Sequence, residues 1–245
     1  MRTERSNLSF WLQWVAGTAL AELAGLGIAA AAGSSVIRAV GEPATPGYAQ
    51  VFVGLAVLLG ALQGALVGAV QASVLGRRLD GLPGWVLATA MGGALTWAVG
   101  AIPGIAIGLY LPPVRGPGVP DWLQLLLAMP AGILAGLILS FPQWRVLRHY
   151  LAHAGWWLMA SALAWALGMP LVFVAAGVGW QGGELLSTLM VIGGLAAAGA
   201  VVGAVSGAYL VWLSDRLPRR LERRARAGEW RELRQPPRSG ADPAG

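Results

Sequence analysis

The stretch QWRVLRHYLAHAGWW, residues 143–157, has a near-copy in QASVLGRRLDGLPGW, residues 71–85. Each is a basic, Trp-containing phrase set between two long apolar runs. At an offset of 72 the match extends without gaps: Gly60, Gly64, Gln71, Val74, Leu75 and Leu79 correspond to Gly132, Gly136, Gln143, Val146, Leu147 and Leu151. Beyond the phrase, Trp85, Ala88, Thr89 and Ala90 correspond to Trp157, Ala160, Ser161 and Ala162. A weaker third copy places Trp14, Thr18 and Ala19 on Trp85, Thr89 and Ala90 at an offset of 71. In the last apolar run Gly199, Gly203, Ser206 and Leu210 echo Gly136, Ser140, Gln143 and Leu147. Internal repetition of this kind defines the structural unit. Here the unit is a pair of helices written three times, at about 9–78, 80–150 and 152–215, each first helix opening with W-x3-[ST]-A.

The composition says which solvent surrounds those helices. The chain has 245 residues, 56% hydrophobic and 11% charged, with 36 Gly. A soluble domain carries about 25% charged residues, so this chain is too poor in charge to cover a water-facing surface and reads as an integral membrane protein. Six apolar stretches reach the roughly 20 residues that cross a bilayer as helix; they lie at about 9–32, 49–75, 84–110, 122–143, 156–179 and 185–213. The runs lack the alternation of barrel strands, and lipid forbids unpaired backbone, so the expected fold is all-α with six transmembrane helices. The opening MRTERSN and the apolar run ending AAAAGSS have the outline of a signal peptide. That run is long for the purpose, contains Gln13 and Glu22, and belongs to the repeat, so it is retained as the first span.

All 17 basic residues are Arg. Fifteen of them fall on one side of the proposed topology: Arg2 and Arg5, Arg77 and Arg78, Arg145 and Arg148, and nine from Arg216 to Arg238; only Arg38 and Arg115 fall on the other. Positive charge gathers on the cytoplasmic side, which predicts a bacterial inner-membrane protein with residues 1–8 and the tail 216–245 both cytoplasmic. The tail is strongly basic. Arg216, Arg219, Arg220, Arg223, Arg224 and Arg226 on a ragged amphipathic helix suit anionic lipid headgroups, each contributing about 1 kcal/mol near the surface. Nucleic acid is disfavoured as a partner, because no recognition motif accompanies the charge. The closing PPRSGADPAG has the composition of a disordered end.

The repeated pattern G-x3-G-x6-Q-x2-VL, followed by basic residues and Trp, resembles a group of uncharacterised bacterial multi-pass membrane proteins with recurring Q-x2-VLR and GWW phrases. The resemblance covers most of residues 9–213 and implies a fold type without an assigned chemistry. This chain departs from the phrase at Gly76, where the second copy has Arg148, and at Ser206, where the Gln is lost.

Several residues carry the functional expectations. Gly60, Gly64 and Gly68, Gly132 and Gly136, and Gly199 and Gly203 are spaced by three or four and form small-residue stripes, which let membrane helices pack backbone to backbone. Gln71 and Gln143 suit hydrogen bonds between helices, worth roughly 0.6–2 kcal/mol in membranes. Glu22 is the acid well inside a span. It sits one turn beyond Thr18, and a central charge costs roughly 2.5–3.5 kcal/mol on insertion scales. Its two readings are cation or proton coupling, and a protonated acid bonded to Thr18 or to a facing Gln. The matching positions are Gly93 and Trp165, and a site on a pseudo-axis would be expected to repeat, which favours the second reading. Glu22, Thr18, Gln71 and Gln143 thus form the candidate intramembrane polar site.

His149 and His153 have a metal-compatible spacing, but Arg145 and Arg148 beside them repel a cation, so no metal site is expected. The absence of Cys excludes thiolate ligands and Cys nucleophiles. No catalytic set and no cofactor motif is visible. The sequence therefore predicts a non-enzymatic structural or accessory membrane component with an unidentified protein partner. The alternative is a small-molecule or ion transporter using Glu22 and the Gln71 and Gln143 positions.

Overall fold

The computed structural model describes residues 2–41, 46–78, 82–110, 121–151, 153–178 and 184–214. These form six α-helices and, among the described residues, no strand: α1 (Arg2–Val40), α2 (Pro46–Leu75), α3 (Trp85–Tyr110), α4 (Asp121–Leu147), α5 (Trp156–Val178) and α6 (Glu184–Ser214). Five are long and apolar enough to cross a membrane; α3 offers a shorter described apolar stretch, Trp85–Ala101. The basic tail, including Arg216 to Arg226, lies outside the described residues.

Local signals account for the helix ends. Gly41 stops α1 in the left-handed conformation, with φ 80° and its N–H bonded to the Ile37 carbonyl at 2.9 Å. That is a C-terminal cap suited to a residue without Cβ. Pro46 opens α2, where its fixed φ fits and its missing N–H costs nothing. Gly84, at φ 87°, immediately precedes α3. The largest departure from the expected spans is α1, which exceeds 9–32 at both ends and reaches about 58 Å in length. Ser34 and Ser35 do not interrupt it, because their hydroxyls bond back to the Ala30 and Ala31 carbonyls at 2.7 and 2.8 Å. Its polar beginning is held by Arg78, which donates to the Ser6 carbonyl and the Asn7 side chain and stacks 4.1 Å over the Phe10 ring.

The helices form a closed ring. Each packs against its neighbours in the chain, and α6 returns to α1; among the described residues no helix backbone touches one across the ring. The starts of α1, α3 and α5 and the ends of α2, α4 and α6 share one end, here called basal. Burial is inverted relative to a water-soluble bundle. Leu20, Leu58, Leu87, Leu134 and Leu163 face outward, whereas Thr18, Glu22, Gln63, Gln71, Thr89, Gln143 and Ser206 are buried. An apolar exterior around polar interior contacts suits lipid as solvent.

Glycine sets the tightest seams. A Cβ on Gly136 would lie 2.5 Å from the Ser161 carbonyl oxygen and 2.9 Å from Ala162 Cα. One on Gly64 would overlap the Thr89 carbonyl and reach 2.9 Å from Ala90 Cα, and one on Gly203 would lie 2.9 Å from Val15 Cα and 3.2 Å from Thr18 Cβ. Gly60, Gly68, Gly132 and Gly199 are similarly crowded by Gly93, Thr89, Trp165 and Ala19. The seams α2–α3, α4–α5 and α6–α1 are therefore backbone-to-backbone contacts. Dispersion between closely apposed helices replaces the hydrophobic drive that lipid does not supply.

These seams predict a contrast between two alanines. Gly64→Ala should lower stability by about 1–3 kcal/mol through overpacking. Gly54→Ala, whose new Cβ meets nothing within 4 Å, should be neutral or gain up to about 1 kcal/mol of helix propensity. Thermal unfolding of the purified protein in detergent measures both; equal effects would contradict the seam.

Candidate functional site

Two zones occupy the middle of the ring. The basal zone is a plug. Trp14, Trp85 and Trp157, from α1, α3 and α5, are 1%, 0% and 2% exposed. Trp157 meets Trp14 and Trp85 edge-on, with ring centroids at 6.3 and 5.9 Å. Phe10, Leu75, Leu147, Leu151, Leu210 and Leu213 complete the cluster.

A polar relay ties the plug together. Trp157 donates its indole N–H to Gln143 Oε1 at 3.0 Å, Gln143 Nε2 donates to Thr89 Oγ1 at 3.0 Å, and that hydroxyl donates to the Trp85 carbonyl at 2.8 Å. Trp14 donates to Ser206 Oγ at 2.9 Å, so Ser206 takes up a Trp where its counterpart is Gln143. The residues that correspond to Thr89, Gln143 and Trp157 are Thr18, Gln71 and Trp85. In these, Thr18 Oγ1, Gln71 Oε1 and Trp85 Nε1 are buried and find no hydrogen-bond partner among the described residues. One relay is complete, and its counterpart is open.

The second zone is a cavity of about 500 Å³ that begins one turn above the plug. It runs from Thr89 to Ala101 along α3, about 18 Å at 1.5 Å per residue. Its walls follow the sequence offsets of 71 and 72. Glu22, Gly93 and Trp165 are in correspondence and all line it; so are Leu26, Trp97 and Met169, and so are Ala29, Gly100 and Val172. In each set the members come from α1, α3 and α5, and successive sets lie on one helix face. Helices α2 and α4 add Phe52, Leu59, Gln63, Val67, Ala135 and Leu139.

One polar relay enters this apolar space. Trp97 donates its indole N–H to Gln63 Oε1 at 2.7 Å, and Gln63 Nε2 donates to Glu22 Oε2 at 2.6 Å. The indole is a donor only. It therefore fixes the amide oxygen of Gln63 towards α3 and presents the amide N–H2 to Glu22. The Glu22 oxygen facing Gln63 is thus an acceptor. Gly25 makes the approach of α1 possible, since a Cβ there would lie 2.6 Å from Gln63 Cγ. The hydroxyls of Thr89 and Thr96 are directed to carbonyls of their own helix, Trp85 and Gly92, at 2.8 Å each.

The sequence-derived polar site is thereby divided. Glu22 lines the cavity, whereas Gln143 lies in the Trp plug and Gln71 beside it at the basal end; neither glutamine lines the cavity. Thr18 is buried at the α6 seam without a hydrogen bond to Glu22. The partner of Glu22 is a facing glutamine, one of the two partners expected, but it is Gln63, which the sequence reading did not single out. Its signal was present: Gln63, Val67 and Gln71 are spaced by four and share one helix face. His149 and His153 lie in the connection after α4; the His153 carbonyl accepts from Tyr209 Oη at 3.1 Å, and no cluster of metal-ligating residues occurs among the described residues. Comparison with protein-family models, with curated proteins and with solved structures finds no match for the chain.

The two relays predict unequal costs for similar changes. Gln143→Leu strips both Trp157 and Thr89 of a buried partner and should cost about 1–3 kcal/mol. Gln71→Leu removes an acceptor that is already unpaired and should be near neutral. Denaturation midpoints of the two variants, compared with the parent, test the difference; equal losses would contradict the asymmetry.

Proposed function

We propose that this protein binds a small, largely apolar molecule within the bilayer, as a membrane carrier or receptor, through the cavity that contains Glu22. The carrying observation is a roughly 18 Å apolar cavity with one buried carboxyl group oriented by the Trp97–Gln63 relay. Its volume lies in the range of sites that enclose drug-sized ligands. An intramembrane acid is costly and marks function by default. This favours the small-molecule alternative over a purely structural accessory role, which needs no central space. The Trp plug disfavours continuous ion conduction, because it fills the basal end with packed rings. No catalytic step is assigned.

The architecture we infer is six membrane spans arranged as three tandem helix pairs. Support comes from the recurrence of the Gly–[ST]-A seam and of matched residues around one cavity. With Arg77, Arg78, Arg145 and Arg148 at the basal end, the Arg distribution supports a bacterial inner-membrane location with cytoplasmic termini, the cavity facing the opposite side, and the basic tail against anionic headgroups.

Gly100 provides a test that spares the seams. It lines the cavity, and a Cβ there meets nothing within 4 Å. Gly100→Phe should fill the space without disturbing the ring. With 12-bromododecanol in nanodiscs, the parent should show saturable quenching of Trp emission and Gly100→Phe should lose the saturable part. Identical, non-saturable quenching in both would overturn the proposal.

A further inference from the structure

The chemistry of the cavity specifies the ligand's head group. We infer that the site takes a hydrophobic monocation: an amphiphile with one ammonium-type head seated between Glu22 and the rings of Trp97 and Trp165. The inference deepens the proposed function and rests on it.

Three observations converge. First, Glu22 is 3% exposed and its only hydrogen bond among the described residues is from Gln63 to Oε2, so its other oxygen is left for a ligand. Second, no Arg or His is among the residues lining the cavity, so nothing within it balances a carboxylate. A buried carboxyl is ionised only when paired and otherwise keeps its proton; an incoming cation supplies the partner. Third, of the three corresponding positions Glu22, Gly93 and Trp165 that line the space, one is an acid, one an aromatic residue, and one a glycine whose missing side chain is replaced by the close-packed Gly60 backbone of α2. Trp165 and Trp97 both line the space, and indole rings attract a cation. A threefold scaffold that placed acids at all three positions would suit a small polycation. One acid with two aromatic residues suits a single, diffuse positive charge on an apolar body. An anionic amphiphile would be repelled by the carboxylate, and a neutral one would gain no charge pairing from it.

The test uses three probes that differ in their head group: dodecyltrimethylammonium, dodecanol and dodecanoate. Full-length protein is placed in nanodiscs of zwitterionic lipid, and the thermal unfolding midpoint is followed against probe concentration. Gly100→Phe reports the part that arises from partition into lipid rather than from the cavity. The parent should be stabilised by the cation at concentrations at least tenfold below those needed for the other two. Glu22→Gln should abolish that preference and leave the response to dodecanol unchanged. If dodecanol or dodecanoate acts as strongly as the cation on the parent in a Gly100→Phe-sensitive way, the cationic class is wrong and the cavity function stands. If no probe acts in a Gly100→Phe-sensitive way, both fail. Should Glu22→Gln not fold, the ranking of the three probes on the parent still decides.

Discussion

A closed ring of six helices has a space at its centre about as wide as a helix. Adjacent axes are about 8–10 Å apart, and a regular hexagon places each axis as far from the centre as from its neighbour. Something must fill that space or it stays open. In this protein the two ends resolve the problem differently. Three indole rings and their leucine surround close the basal end. Beyond them the side chains do not fill the space, and a cavity remains. The proposed binding function follows from that division.

The ring itself depends on where its helices come closest. Glycine on α2, α4 and α6 meets the turn after the Trp on α3, α5 and α1. Such seams hold α1, α3 and α5 in similar registers, and those registers place Trp14, Trp85 and Trp157 in one layer and Glu22, Gly93 and Trp165 in the cavity wall two turns beyond. The seam glycines must stay small, because backbone contact tolerates little else. The residue types at the cavity-lining positions Glu22, Gly93 and Trp165 differ, and Gly93 is also held small by the Gly60 carbonyl of α2.

Much of the helical framework was legible in the sequence. Expected limits for the second to sixth stretches agree with the helices within a few residues, because long apolar runs end at strong signals such as Gly84. The length of α1 was less legible. The apolar run bounds it at about 9–32, yet Ser34 and Ser35 bond back to the helix and Arg78 anchors the start. The central polar relay was only half visible. Periodicity shows which residues share a helix face, but not which residues face them from another helix. Glu22 therefore stood out while Gln63 and Trp97 did not. The sequence shows that the acid does not recur at Gly93 and Trp165, but not that these two positions line the same cavity as Glu22.

The central claim is that the ring is sealed at the basal end and hollow beyond it. The chain contains no Cys, so single cysteines can be introduced directly at Gly100 and Ser206 and exposed to a membrane-impermeant maleimide in sealed vesicles of known orientation. The account predicts labelling of Gly100→Cys only from the face opposite the N-terminus, and protection of Ser206→Cys from both faces. Rapid labelling of Ser206→Cys, or labelling of Gly100→Cys from the N-terminal face, would contradict it.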